Sequence, residues 1–171
     1  DFKTFIKYKN KNFLKRKYLL PHIYLTFTDY FFTLFLFLFN SINKNKSIHL
    51  KGININYLLN SDFAQNCNSR NSFLGILSFR LIRRLKEQNL KVNKIIDWFE
   101  NQPLDKGFYY GVNKFFPDTR TLGYQGFLLD YNYDFYCKPE FFEIENKLTP
   151  KIIGVQGKQI KKNFILSNKK I

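Results

Sequence analysis

The chain has 171 residues, a net charge of +15 and 19% aromatic content, with 21 Phe and a single Trp. That length allows one domain with a sizeable core. The two isolated cysteines, Cys67 and Cys137, have no CxxC spacing and no neighbouring His, which excludes a Cys-based metal site and fits buried thiols in a reducing cytoplasm.

Phe, Lys, Asn, Ile and Tyr are abundant together, the signature of an AT-rich genome, so their excess is discounted before function is read from it. Charge is uneven. Residues 1–51 carry +8, 52–92 carry +4, 93–149 carry −3 and 150–171 carry +6. A basic periphery therefore surrounds an acidic segment, which fits an anionic membrane surface, a nucleic acid or a solvated Lys-rich face. Lys outnumbers Arg 22 to 6, and nucleic-acid readers favour the planar Arg fork, so nucleic acid is the disfavoured partner. No Met is present and the chain opens Asp1-Phe2-Lys3, which predicts a fragment.

Residues 1–47 read as a basic, Phe-rich helical segment. Residues 2–19 mix Lys with aromatics without clean periodicity, as a helix or a basic arm. Residues 30–39 are almost wholly apolar, and extended to 23–42 they approach the roughly 20 residues that span a bilayer. Asp29 interrupts that window, so a buried core helix is the favoured reading, ahead of an interfacial or membrane-inserted helix and then a strand. No small-residue cleavage site follows, against a signal peptide. Residues 43–47 are a polar linker. In 48–59, Ile53, Ile55 and Tyr57 alternate with Asn54 and Asn56, predicting a strand or an extended loop that passes into a helix near Tyr57. After a polar break at 66–69, the stripe Phe73, Leu74, Ile76, Leu77, Phe79, Leu81, Ile82 and Leu85 predicts a helix over 70–90, with Arg80, Arg83, Arg84, Lys86 and Glu87 largely off it, a solvated face being favoured over phosphate binding by the arginines.

A strand over 93–99, a helix over 104–116 and a strand over 119–124 make a βαβ unit within about 35 residues. Residues 127–149 read as an irregular lobe or short helix, and 151–156 as a third strand ending at Gly157, before a Lys-rich tail. The expected class is α/β, a Rossmann-like parallel sheet with flanking helices over 48–149, with 150–171 opening a further unit.

In βαβ units ligands meet the carboxyl ends of the strands, and two polar clusters fall there. Glu100 at the end of the first strand is a candidate catalytic base, or a cap for the following helix. Asn101 and Gln102 offer donors and acceptors to a polyol. Gly123, Tyr124, Gln125 and Gly126 are the second binding cluster, read as a sharp glycine-flanked loop. Asp105 sits where a helix dipole favours it. Asp97 and Glu100, three apart in a strand, are expected to face opposite sides. There is no phosphate-loop or dinucleotide fingerprint.

The run Ile95-Ile96-Asp97-Trp98-Phe99-Glu100-Asn101-Gln102-Pro103-Leu104-Asp105-Lys106-Gly107, followed by Pro117-Asp118-Thr119, Leu122-Gly123-Tyr124-Gln125-Gly126 and Thr149-Pro150-Lys151-Ile152-Ile153-Gly154-Val155-Gln156-Gly157, resembles bacterial surface-polysaccharide biosynthesis proteins of glycosyltransferase type. The resemblance covers about 48–160. It departs at Gly126, where such proteins often carry His, and at Leu104-Asp105, where they often carry Trp-Glu. It implies the N-terminal, acceptor-side lobe of a two-lobed GT-B glycosyltransferase, incomplete and cytoplasmic or peripheral at the inner membrane. It implies a lipid-linked or saccharide acceptor, and a nucleotide-sugar donor held by a second lobe rather than by this chain. Two other readings fit the composition: a Lys-rich organellar RNA-assembly protein such as a ribosomal protein, and a membrane subunit anchored through 23–42.

Overall fold

The computed structural model describes residues 21–39, 49–57, 60–61, 69–126, 138–158 and 160–162. The basic arm 2–19, both cysteines and residues 127–137 lie outside them.

In chain order the described elements are α1 (Pro21–Tyr24), α2 (Phe27–Phe39), β1 (His49–Leu50), β2 (Ile53–Asn54), α3 (Arg70–Glu87), β3 (Lys94–Trp98), α4 (Pro103–Phe115), β4 (Arg120–Gln125), α5 (Phe141–Glu145) and β5 (Ile152–Val155). β1 and β2 form a small antiparallel hairpin. Its two-residue turn puts Lys51 and Gly52 at positive φ, the geometry that fits the strand twist. β3, β4 and β5 form a parallel sheet in that order. Leu122 of β4 sits beside both Ile96 and Ile152. The protein is thus mixed α/β with a three-stranded parallel sheet flanked by helices, compatible with a Rossmann-like fold.

α3 begins at Ser69, whose hydroxyl accepts from the Ser72 backbone N–H at 3.2 Å and satisfies a donor that the helix leaves free. Its apolar stripe meets α4, and Leu77, Leu81, Ile82 and Leu85 pack with Val112, Phe116 and Leu25 into the core. The two helices cross at glycines. A methyl on Gly107 would fall onto the Gly75 backbone, and one on Gly75 onto the Pro103 carbonyl. α4 covers the sheet side on which Phe99 stacks edge-on against Tyr109 at 5.7 Å, both fully buried.

Three expectations are corrected. β5 pairs with β4 over four residues, so the strand assigned to a further unit at 150 belongs to the sheet of residues 94–125. The apolar run forms α2, but as a helix turned inside out. Its buried residues are Asp29 and Thr33, while most of its Phe and Leu side chains face outward. And Arg80 and Arg84 do not lie on a solvated face. Arg80 Nε donates to Asp29 Oδ1 at 2.9 Å and Arg84 Nε to Asp29 Oδ2 at 2.8 Å. A fully buried carboxylate needs such partners. Once Asp29 is drawn to α3, the helical period carries Thr33 with it and turns the Phe-rich surface away. Asp29 also accepts from the Thr26 backbone N–H and hydroxyl, at 2.9 and 2.7 Å, and so closes the first turn of α2. Among the described residues, no helix is long and apolar enough to cross a membrane.

Candidate functional site

β3 ends at Trp98 and α4 begins at Pro103. The four residues between them turn the chain through Asn101, whose φ of 59° is a left-handed conformation that Asn tolerates. Pro103 at the first helical position has no N–H to leave unpaired. Asp105, one turn in, accepts from the backbone N–H of Gln102 and of Glu100, both at 3.0 Å. Asp105 therefore closes a capping box with the N-cap residue Gln102, and the Glu100 side chain takes no part in the cap.

That side chain lies on a cleft of about 360 Å³ at the carboxyl end of β3, lined by Ser78, Asp97, Trp98, Glu100, Gln102, Leu104, Asp105 and Phe108. Glu100 is held at both carboxylate oxygens. Trp98 Nε1 donates to Oε1 at 2.7 Å, and Gln102 Nε2 donates to Oε2 at 2.7 Å. Gln102 Oε1 in turn accepts from Asn71 Nδ2 at 2.9 Å, which ties the site to the start of α3. Asp97 shares the cleft. The expectation that Asp97 and Glu100 face opposite sides fails, because strand alternation stops at Trp98 and the turn brings Glu100 back to the same opening.

Burial acts on two of the cleft carboxylates. Burial pushes the Asp97 carboxyl up, opposed by a hydrogen bond from the Trp98 backbone. Burial also raises Asp105, against the two amides it caps, with the charges of Asp97 and Glu100 adding to the rise. Behind them the fully buried Tyr109 hydroxyl has no hydrogen-bond partner among the described residues; burial first, then the negative charge of Asp97 and Asp105, pushes it up. In the cleft, burial therefore favours the protonated form of Asp97 and Asp105 more than water does.

The other sequence-predicted residues divide. Asn101 is buried and turned from the cleft; its Nδ2 donates to Glu143 Oε2 at 3.0 Å and to the Lys138 carbonyl at 3.3 Å. Lys106 pairs with the other oxygen of Glu143, so this network fastens α5 to the head of α4. Gly123 is within β4, not on a loop, and a side chain there would strike Phe99 and Pro150. Gln125 is buried at the end of the same strand. Tyr124 is on the opposite sheet face, where its ring meets the exposed Trp98 ring edge-on at 6.0 Å. Gly126 follows, and a side chain there would collide with both rings. The structure therefore brings together Glu100 and Gln102 in the cleft, with Tyr124 and Gly126 beside its Trp98 wall.

Sequence reasoning missed Trp98, Ser78 and Phe108 as lining residues. Trp98 carried a signal, a lone Trp one residue before the strand end; Ser78 and Phe108 carried none, since they depend on how α3 packs on α4. Comparisons of the chain with family models, with curated proteins and with solved structures find no match.

Proposed function

We propose that the cleft binds a saccharide, and that the chain is the acceptor-side lobe of a glycosyltransferase-like protein of surface-polysaccharide biosynthesis, working at the cytoplasmic face of a membrane. The observation that carries this reading is Glu100, an oriented carboxylate with Trp98 and Gln102 on its two oxygens, at the mouth of a cleft at the end of a parallel strand. Sugar hydroxyls both donate and accept, and the rim supplies carboxylate acceptors beside an amide that does both. The exposed rings of Trp98 and Tyr124 offer apolar faces to the C–H side of a sugar ring.

In transfer, the acceptor hydroxyl attacks the anomeric carbon of the donor as the bond from that carbon to the nucleotide phosphate breaks. Glu100 takes the proton that the hydroxyl releases. The resemblance assigns the nucleotide-sugar donor to a second lobe; the residues of this chain orient the acceptor and receive its proton.

Calorimetry tests the binding step. Short oligosaccharides should bind the chain, Trp98→Ala should abolish binding, and Glu100→Gln should weaken it about tenfold, the scale of one hydrogen bond to a charged group. In an intact enzyme Glu100→Gln should cut transfer by roughly 10²-fold with the fold retained. Micromolar binding of a nucleotide-sugar to this chain would overturn the acceptor assignment. Salt-sensitive RNA binding in place of saccharide binding would move the chain to the RNA-assembly class.

A further inference from the structure

α2 presents its greasy side to solvent and its polar side to the protein. Phe27, Phe31, Leu38 and Phe39 are 84%, 64%, 64% and 68% exposed, and Phe35 is half-exposed between them. Positions 27, 31, 35, 38 and 39 recur at helical spacing and form one outward surface. The opposite side is fixed by Asp29 on Arg80 and Arg84, with Thr33 buried beside it and donating its hydroxyl to the Asp29 carbonyl within the helix. The orientation is therefore imposed by two charge-assisted contacts rather than left to chance packing.

We propose that α2 lies in the surface of an anionic lipid bilayer, with its Phe/Leu side sunk among the acyl chains. Thirteen residues at 1.5 Å each make a helix of about 20 Å, short of the roughly 30 Å hydrocarbon core, so the helix lies along the surface and does not cross it. Charge selects the occupant. α2 itself carries no basic residue, but seven lie in residues 1–20 and three in 40–51, against Asp1 and Asp29 as the acids of residues 1–51. A second copy of the chain would bring the same positive charge to the contact, whereas anionic headgroups complement it. This inference does not rest on the saccharide reading; vesicle binding and calorimetry can fail separately.

The test is co-sedimentation of the 171-residue chain with vesicles of phosphatidylcholine alone and of phosphatidylcholine with phosphatidylglycerol. Binding to the anionic vesicles should exceed binding to the neutral ones by about tenfold or more, and should fall as salt is raised. The double variant Phe31→Ser, Phe35→Ser should lose most of that binding while its melting temperature and circular dichroism stay unchanged, because both side chains face solvent. Equal binding to the two vesicle types, no binding to either, or full binding by the double variant would overturn the proposal. So would a defined dimer in dilute low-salt solution that the double variant abolishes, which would give the surface to a second copy.

Discussion

Among the described residues Asp29 has two guanidinium partners and Asp97 has none, and acid should act on them with opposite sign. Burial raises the Asp29 carboxyl, but the hydrogen bonds from Arg84 and Thr26 and the Arg84 charge outweigh it and hold the group well below the usual carboxylate range. Its native value lies under its unfolded value, so its contribution is complete above about pH 4 and is lost as pH falls through the native value. Asp29→Asn keeps the shape and leaves two arginines facing a neutral amide; it should cost roughly 2–3 kcal/mol in urea unfolding at neutral pH. Asp97 is raised by burial. Between its unfolded and native values the native state binds the extra proton, so stability falls as pH rises through that window. Asp97→Asn should therefore raise the melting temperature at neutral pH, with the gain vanishing below about pH 4. A carboxylate kept at a cost in stability fits a site more than a scaffold. If Asp97→Asn lowers the melting temperature at neutral pH, the carboxylate has a partner that the structure does not reveal.

The pairing of α3 with α4 depends on backbones that touch. Gly→Ala inside a helix ordinarily gains about 1 kcal/mol of propensity. At Gly75 and Gly107 the new methyl would meet backbone, which cannot rotate aside. Either substitution should cost about 3 kcal/mol in denaturant unfolding, the upper range for overpacking. A neutral result would mean that the helices can slide apart. The elements that the sequence marked well are those set by local pattern. α3, β3, α4, β4 and β5 each fall within a few residues of the expected spans, because hydrophobic period and the polar breaks between elements act over a few residues. Glu100 and Gln102 were legible for the same reason, since the end of a strand and the start of a helix can both be read nearby. The facing of α2 was not legible. Its apolar run looks like core until Asp29 finds Arg80 and Arg84, 51 and 55 residues away. The cleft shared by Asp97 and Glu100 was hidden likewise, because strand alternation says nothing about a turn through a left-handed Asn101.

At the scale of the molecule, the described residues cover the sheet on one side only. Ile96, Trp98, Tyr124 and Ile152 are exposed on the other, and register places them together. Parallel sheets ordinarily bury both faces. A net charge of +15 opposes association through such a face, and salt screens it beyond about 10 Å at 0.1 M. Light scattering should therefore rise as sodium chloride is added, and the double variant Ile96→Lys, Ile152→Lys should suppress the rise; scattering that falls with salt would mean that charge attraction, not the bare face, drives association. The helices connect this surface chemistry to the cleft. α2 is clamped to α3 through Asp29, α3 closes on α4 at Gly75 and Gly107, and α4 starts at the cleft. Anything on which α2 rests would then hold the cleft at one height and one tilt. A ligand displayed on a tether of matching length would be met by sliding in a plane, and one on a shorter or longer tether would be passed over, so that reach would select the ligand alongside chemistry.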